Sequence, residues 1–94
     1  MITVRVRTIL TIKKILGKGE LEFSIPEGST LRDLVATMVS RWRELSPHLM
    51  EPTKGPIPRV RFMINGRDIA FLNRMETVLR NGDEVLILPP VSGG

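Results

Sequence analysis

The residue types that usually do chemistry are scarce in this chain. There is no cysteine, which excludes thiolate nucleophiles, thiolate metal sites and disulfides. Any sulfur chemistry must be carried by a group other than a thiol. The one histidine, His48, stands in a proline-rich stretch. It cannot build a metal site with others of its kind, and no nucleophile–histidine–carboxylate set can be assembled around it. Gly17-Lys18-Gly19 is too short for a phosphate-cradling loop and reads as a turn. Asp33, Asp68, Asp83 and Glu84 fall at breaks between expected strands and read as cap and turn residues. No metal site and no bound cofactor are expected.

What remains is the end of the chain, Leu88-Pro89-Pro90-Val91-Ser92-Gly93-Gly94. Two terminal glycines arise by chance in about 0.5% of chains, given glycine at ~7% of residues. Pro89-Pro90 restricts φ and favours an extended chain leaving the domain. From Pro89 to Gly94 such a tail reaches roughly 20 Å. Gly93 and Gly94 lack a Cβ, so they can enter a narrow channel that would exclude any side chain. A slender tail ending in a carboxylate suits delivery of that carboxylate into another protein's active site. Gly94 is therefore the candidate reacting residue and Gly93 its companion.

Composition narrows the alternatives. The 94 residues amount to one small domain with one modest core. The formal charge is +4, from fourteen basic and ten acidic residues, and the arginines are scattered. The only aromatics are Trp42, Phe23, Phe62 and Phe71. Nucleic-acid binding needs a basic stripe, usually with stacking aromatics, so no nucleic-acid partner is expected. No apolar run approaches the ~20 residues that span a bilayer, and Met1-Ile2-Thr3-Val4-Arg5 lacks a signal peptide's apolar stretch. A cytoplasmic protein with no membrane partner is expected.

The elements that must position the tail follow from hydrophobic spacing. Ile2, Val4 and Val6 alternate with Thr3, Arg5 and Arg7, which predicts a half-buried strand continuing through Ile9 and Leu10. Leu21, Phe23 and Ile25 alternate with Glu20, Glu22 and Ser24, giving a second strand and, with the turn at residues 17–19, a β-hairpin. Thr30-Leu31-Arg32-Asp33 resembles a capping box with Asp in place of Glu. Leu31, Leu34, Val35, Met38, Trp42 and Leu45 follow at helical spacing and predict the one main helix, ended by Ser46-Pro47. Residues 47–58, with four prolines and Gly55, predict a loop. Val60, Phe62 and Ile64 predict a third strand. Asn65-Gly66 predicts a tight turn, Ile69-Ala70-Phe71 a short return strand, and residues 78–83 a second turn. Glu84 to Leu88 predict the last strand. Strand, strand, helix, strand, strand, strand is the order of an α+β, ubiquitin-like β-grasp fold, with a mixed sheet and one main helix. The expected division is a β-grasp domain over residues 1–90 and a flexible Gly-Gly tail over 91–94.

The core expected on the helix side of the sheet is Ile2, Val4, Val6, Leu21, Phe23, Val60, Phe62, Ile64, Val85 and Ile87, met by Leu34, Val35, Met38 and Trp42. Side chains alternate along a strand, so Arg5, Arg7, Arg61, Met63, Leu86 and Leu88 face the other way. In a β-grasp sheet the last strand lies between the first and third. These residues should then form a small apolar centre rimmed by arginines, at the root of the tail. That face, with Pro89, Pro90, Val91 and Ser92, is the expected partner-binding surface.

Asn65-Gly66, Leu79-Arg80-Asn81-Gly82-Asp83-Glu84-Val85 and the ending Pro-Pro-Val-Ser-Gly-Gly together resemble the ThiS/MoaD sulfur carriers. That family includes the small subunit of molybdopterin synthase and the small archaeal modifier proteins. The resemblance spans nearly the whole chain, and its specific motifs lie in the last third. The proline-rich 47–58 segment departs from the family pattern. The resemblance implies that an E1-like adenylating enzyme activates the Gly94 carboxylate with ATP and that a sulfurtransferase converts it to a thiocarboxylate. It implies that the molybdopterin synthase large subunit takes the sulfur in molybdenum cofactor biosynthesis. This chain would then be a carrier, with the catalytic pocket in its partner. Two alternatives stand beside it: a modifier joined through Gly94 to target-protein lysines, and an interaction domain without tail chemistry.

Overall fold

The computed structural model describes residues 1–51, 55–56 and 60–89. Its sheet has five strands in the order β2-β1-β7-β5-β6. They are β1 (Ile2–Thr8), β2 (Glu20–Ile25), β5 (Arg61–Ile64), β6 (Arg67–Asp68) and β7 (Glu84–Leu88). β1 runs parallel to β7, and every other pairing in this sheet is antiparallel. The main helix, α2 (Leu31–Arg41), covers one face. This is the ubiquitin-like β-grasp arrangement, an α+β fold.

Alternation places the core. Along β1 the side chains of Ile2, Val4, Val6 and Thr8 are buried while Thr3, Arg5 and Arg7 are exposed. Phe23, Ile25, Val60, Phe62, Ile64, Val85 and Ile87 complete the buried face, met by Leu31, Leu34, Val35 and Met38 of α2. Two expected members, Leu21 and Trp42, lie at the core's margin and are half-buried. The capping box forms with Asp in the Glu position. The Thr30 hydroxyl accepts from the Asp33 amide at 3.3 Å, and the Thr30 amide donates to Asp33 Oδ2 at 2.9 Å.

The structure corrects several expectations. β1 does not run on through Ile9 and Leu10; the chain turns into a short helix, α1 (Leu10–Leu16). Thr8 and Ile9 end the odd–even alternation. Ile12 and Leu16, four apart, then lie on one helical face and are buried. Gly17, at φ 81°, closes α1 in the left-handed conformation, and its amide donates to Lys13 O. Residues 17–19 therefore link a helix to a strand, and β1–β2 is an antiparallel pair with a helical insertion rather than a simple hairpin.

α2 stops at Arg41, not Leu45. Trp42, at φ −122° and ψ 87°, leaves the helical region and sets its ring edge-on to Phe23, centroids 6.0 Å apart. A 3-10 turn over Arg43–Leu45 then buries Leu45. Ser46-Pro47 begins a helical turn, α3 (Ser46–Leu49), instead of ending one; proline's missing amide costs nothing in a first turn. The expected 47–58 loop is thus partly structured. β3 (Met50–Glu51) pairs with β4 (Gly55–Pro56), and its remaining residues, 52–54 and 57–58, lie outside those described.

The return strand is β6, at Arg67–Asp68. Ile69–Phe71 forms a 3-10 turn. The Asp68 carboxylate accepts the Ala70 amide at 2.9 Å and bends the chain out of the sheet.

Candidate functional site

The site is built on β7, the strand that leads into the C-terminal segment. Two Asn-Gly turns hold its start. Asn65 has φ 51° and Gly66 φ 84°, as a two-residue type I′ turn between antiparallel strands requires. The Asn65 side chain donates to Asp83 Oδ1 and accepts from the Glu84 amide, both at 2.9 Å. Asp83 in turn accepts the Arg80 amide at 2.8 Å, closing the second turn. Asn81 Oδ1 accepts from the Thr3 amide, and the Gly82 amide donates to Thr3 O, both at 2.8 Å. The 80–84 turn thus clamps β1 on one side and the β5–β6 turn on the other. β7 is thus held between two neighbours at its very start.

From that start β7 runs to Leu88, with Val85 and Ile87 buried against α2 and Glu84, Leu86 and Leu88 half-buried on the open face. On that face the register sets Met63 and Arg7 on either side of Leu86, and Arg61 beside Leu88. Met63 is half-buried; Arg5, Arg7 and Arg61 are exposed. The structure therefore brings Arg5, Arg7, Arg61, Met63, Leu86 and Leu88 onto one face, with half-buried Pro89 following. Pro90, Val91, Ser92, Gly93 and Gly94 lie outside the described residues, as does the expected boundary at residue 90.

The arginines are not a bare positive rim. Arg5 and Arg7 each approach both Glu20 and Glu84, at 3.5–3.9 Å, so two cations share two carboxylates. Arg61 lies 3.3 Å from Asp68 Oδ2. Asp68 stays below its usual carboxylate range, chiefly because the Ala70 amide donates to it and secondarily through Arg61. Arg5, Arg7, Arg61 and Glu20 are exposed and no pair is buried on both sides, so each pair is weak. The face has local charge order with little net charge.

Thr8, Ile9, Gly19 and Glu20, absent from the expected surface, adjoin it. Arg7, Thr8, Ile9, Gly19, Glu20 and Leu86 line a shallow depression of about 500 Å³. Ile9 and Leu10 are 45% and 60% exposed, and Leu10 holds a positive φ of 55°, strained for a branched side chain. Parity alone could have found Ile9, which falls on the same side of the chain as Arg5 and Arg7. Among the described residues no group of His, Asp and Glu could hold a metal, and no helix is long and apolar enough to cross a membrane.

A family model for the ThiS family matches residues 9–94. The chain is similar to small archaeal modifier protein 3 of Haloferax volcanii, 28% identical over 88 residues, 94% of this chain and 95% of that one. It is similar to the sulfur carrier protein CysO of Mycobacterium tuberculosis, 33% identical over 69 residues, 71% of this chain and 74% of that one. The solution structure of small archaeal modifier protein 1 from Methanosarcina acetivorans superposes with a TM-score of 0.87 at 29% identity, covering 100% of this chain and 98% of the other.

Proposed function

This chain belongs to the ThiS family of ubiquitin-like sulfur carriers, and on that premise we propose that it carries sulfur as a thiocarboxylate on Gly94. The observation that supports this most directly is the placement of β7. The strand is gripped at its start between β1 and β5, it borders an open face with Met63, Leu86 and Leu88 at its centre, and in the sequence it leads directly into Pro-Pro-Val-Ser-Gly-Gly. The domain is a handle, and the tail is the reacting arm.

A carboxylate is a poor acyl donor because its charge is delocalised over two oxygens. In the proposed sequence a Gly94 oxygen attacks the α-phosphorus of ATP in the active site of an E1-like enzyme. Pyrophosphate leaves, and a mixed anhydride with a good leaving group results. A sulfurtransferase delivers a hydrosulfide equivalent to the carbonyl carbon, AMP departs, and the C-terminus becomes a thiocarboxylate. Gly93 and Gly94 pass the channel because neither has a Cβ. The E1-like enzyme and the receiving protein grip the domain at Met63, Leu86 and Leu88, with Arg5, Arg7 and Arg61 setting orientation. We assign the receiving role to the molybdopterin synthase large subunit, on the strength of the Pro-Pro-Val-Ser-Gly-Gly ending.

A second reading is supported by the similarity to two small archaeal modifier proteins. Here the Gly94 adenylate is attacked by a lysine amine of a target protein, forming an isopeptide bond and releasing AMP. Intact mass of the protein from its native cell separates the readings. Sulfur replacing oxygen at the C-terminus supports the carrier, and a ladder of conjugates supports the modifier. Deleting Gly93-Gly94 should abolish adenylation and sulfur transfer to the pterin with purified partners. Unchanged sulfur transfer by the truncated chain overturns the carrier reading, and unchanged adenylation of it overturns both, because both start from the Gly94 adenylate.

A further inference from the structure

β2 is an edge of the sheet: its one strand partner among the described residues is β1. The Thr8 amide donates to Gly19 O at 2.9 Å, and hydrogen-bonded pairs alternate along an antiparallel ladder. The pairs 6–21, 4–23 and 2–25 therefore carry the β1–β2 bonds. The amides and carbonyls of Glu20, Glu22 and Ser24 point outward, and none has a backbone partner among the described residues. Along α2, and reaching the end of β2 at Ile25, runs a shallow groove. It consists of two contiguous depressions of about 470 and 480 Å³ that share Ala36 and Thr37. Ile25 lines one end. Ser40 and Arg41 line the other, with the Arg41 guanidinium 5.4 Å from the Phe23 ring centroid and 5.6 Å from that of Trp42.

We propose that β2 accepts an extended peptide of a partner protein as a sixth, antiparallel strand, with alternate side chains on the α2 side, toward the groove along that helix. Charge selects the occupant. Arg41, on the groove side, makes no ion pair among the described residues, and neither does Glu22 on the opposite side. The peptide therefore carries an acidic residue opposite Phe23, under Arg41, and a basic residue next to it, opposite Glu22. A small apolar residue lies opposite Ile25, above Ala36. A second copy of this chain fits poorly. The register that uses all three outward residues sets Glu22 directly opposite Glu22, and like charges so placed repel. The peptide's basic residue meets the open face only at Glu22 on its β2 margin, so a partner held at β2 leaves Met63, Leu86, Leu88 and the tail to other partners, and this inference stands or falls apart from the sulfur-carrier reading.

The probe is the capped peptide Val-Thr-Glu-Lys-Val-Thr, titrated into the full-length protein and followed by amide chemical shifts. Its control, Val-Thr-Lys-Glu-Val-Thr, has the same composition with the charges exchanged. The expected result is saturable shifts confined to residues 20–25 and 36–41, with affinity for the first peptide at least tenfold above the control. In a Glu22→Lys, Arg41→Glu variant the preference reverses. Glu22→Pro, which removes an outward amide at an edge position where proline is tolerated, abolishes binding of the first peptide. Failure of both peptides to bind, equal binding of the two, shifts centred on Leu86, or binding that survives Glu22→Pro in a folded protein would each overturn the proposal.

Discussion

Asn65 is the residue on which most local order converges. Its left-handed backbone closes the β5–β6 turn, and its amide group joins that turn to Asp83 and Glu84. Asn65→Ala removes two hydrogen bonds and puts a less tolerant residue at positive φ. The expected loss is about 2 kcal/mol, read by urea unfolding, and a loss below a few tenths would show that the clamp is not needed. Asp68 offers a pH test. Its folded value is lowered, so the sign is that of a carboxylate stabilised in its charged form. Its contribution is fully present above the unfolded value, near pH 4. It is lost as pH falls through the lower folded value. Asp68→Asn should therefore flatten the dependence of Tm on pH below about pH 4 and leave its shape at neutral pH unchanged. Equal slopes in acid for both proteins would remove Asp68 from the account.

At the scale of elements, the fold depends on how each segment ends. α1 ends because Gly17 takes φ 81° in otherwise open space. Gly17→Ala meets no steric neighbour, so its cost is backbone strain alone, about 1 kcal/mol. Gly17→Asn should cost less, because asparagine tolerates this region. Thermal melts of the two variants test the ranking. β5 presents Phe62 to the core at 2% exposure, and Phe62→Ala should cost ~3–5 kcal/mol. A smaller loss would mean that α2 collapses onto the gap. The alternating apolar residues of β1, β2 and β5, the capping box and both Asn-Gly turns were legible in the sequence, because each is a local pattern with a local cause. α1 was not. Its seven residues contain two β-branched isoleucines directly after a period-two strand, and only the burial of Ile12 and Leu16 reveals the change of period. The return strand was misplaced for a related reason, since the Asp68 cap that bends the chain is a side-chain bond and Ile69-Ala70-Phe71 looks strand-like without it.

On the scale of the whole molecule, the mixed sheet brings residues distant in sequence to one face beside the root of the tail. Leu86 sits at its centre, half-buried between Arg7 and Met63. Leu86→Asp should weaken binding of both the E1-like enzyme and the receiving protein by roughly tenfold or more, with little change in Tm because the side chain lies off the core. Unchanged affinity for both would move the docking surface elsewhere. The sequence by itself supplied the proposal for the reacting group, since the chain has no cysteine and carries the Pro-Pro-Val-Ser-Gly-Gly motif. It also determined the inward and outward parity of the β1, β5 and β7 residues, because parity is a property of an extended backbone. Only the tertiary structure decided which charges meet. Glu20 and Glu84 lie 64 positions apart in the chain, and the antiparallel β1–β2 pairing sets the first, the parallel β1–β7 pairing the second, against Arg5 and Arg7. On that face, arginines that read in one dimension as scattered are, once folded, each set against carboxylates, because Coulomb attraction depends on distance in space and not along the chain.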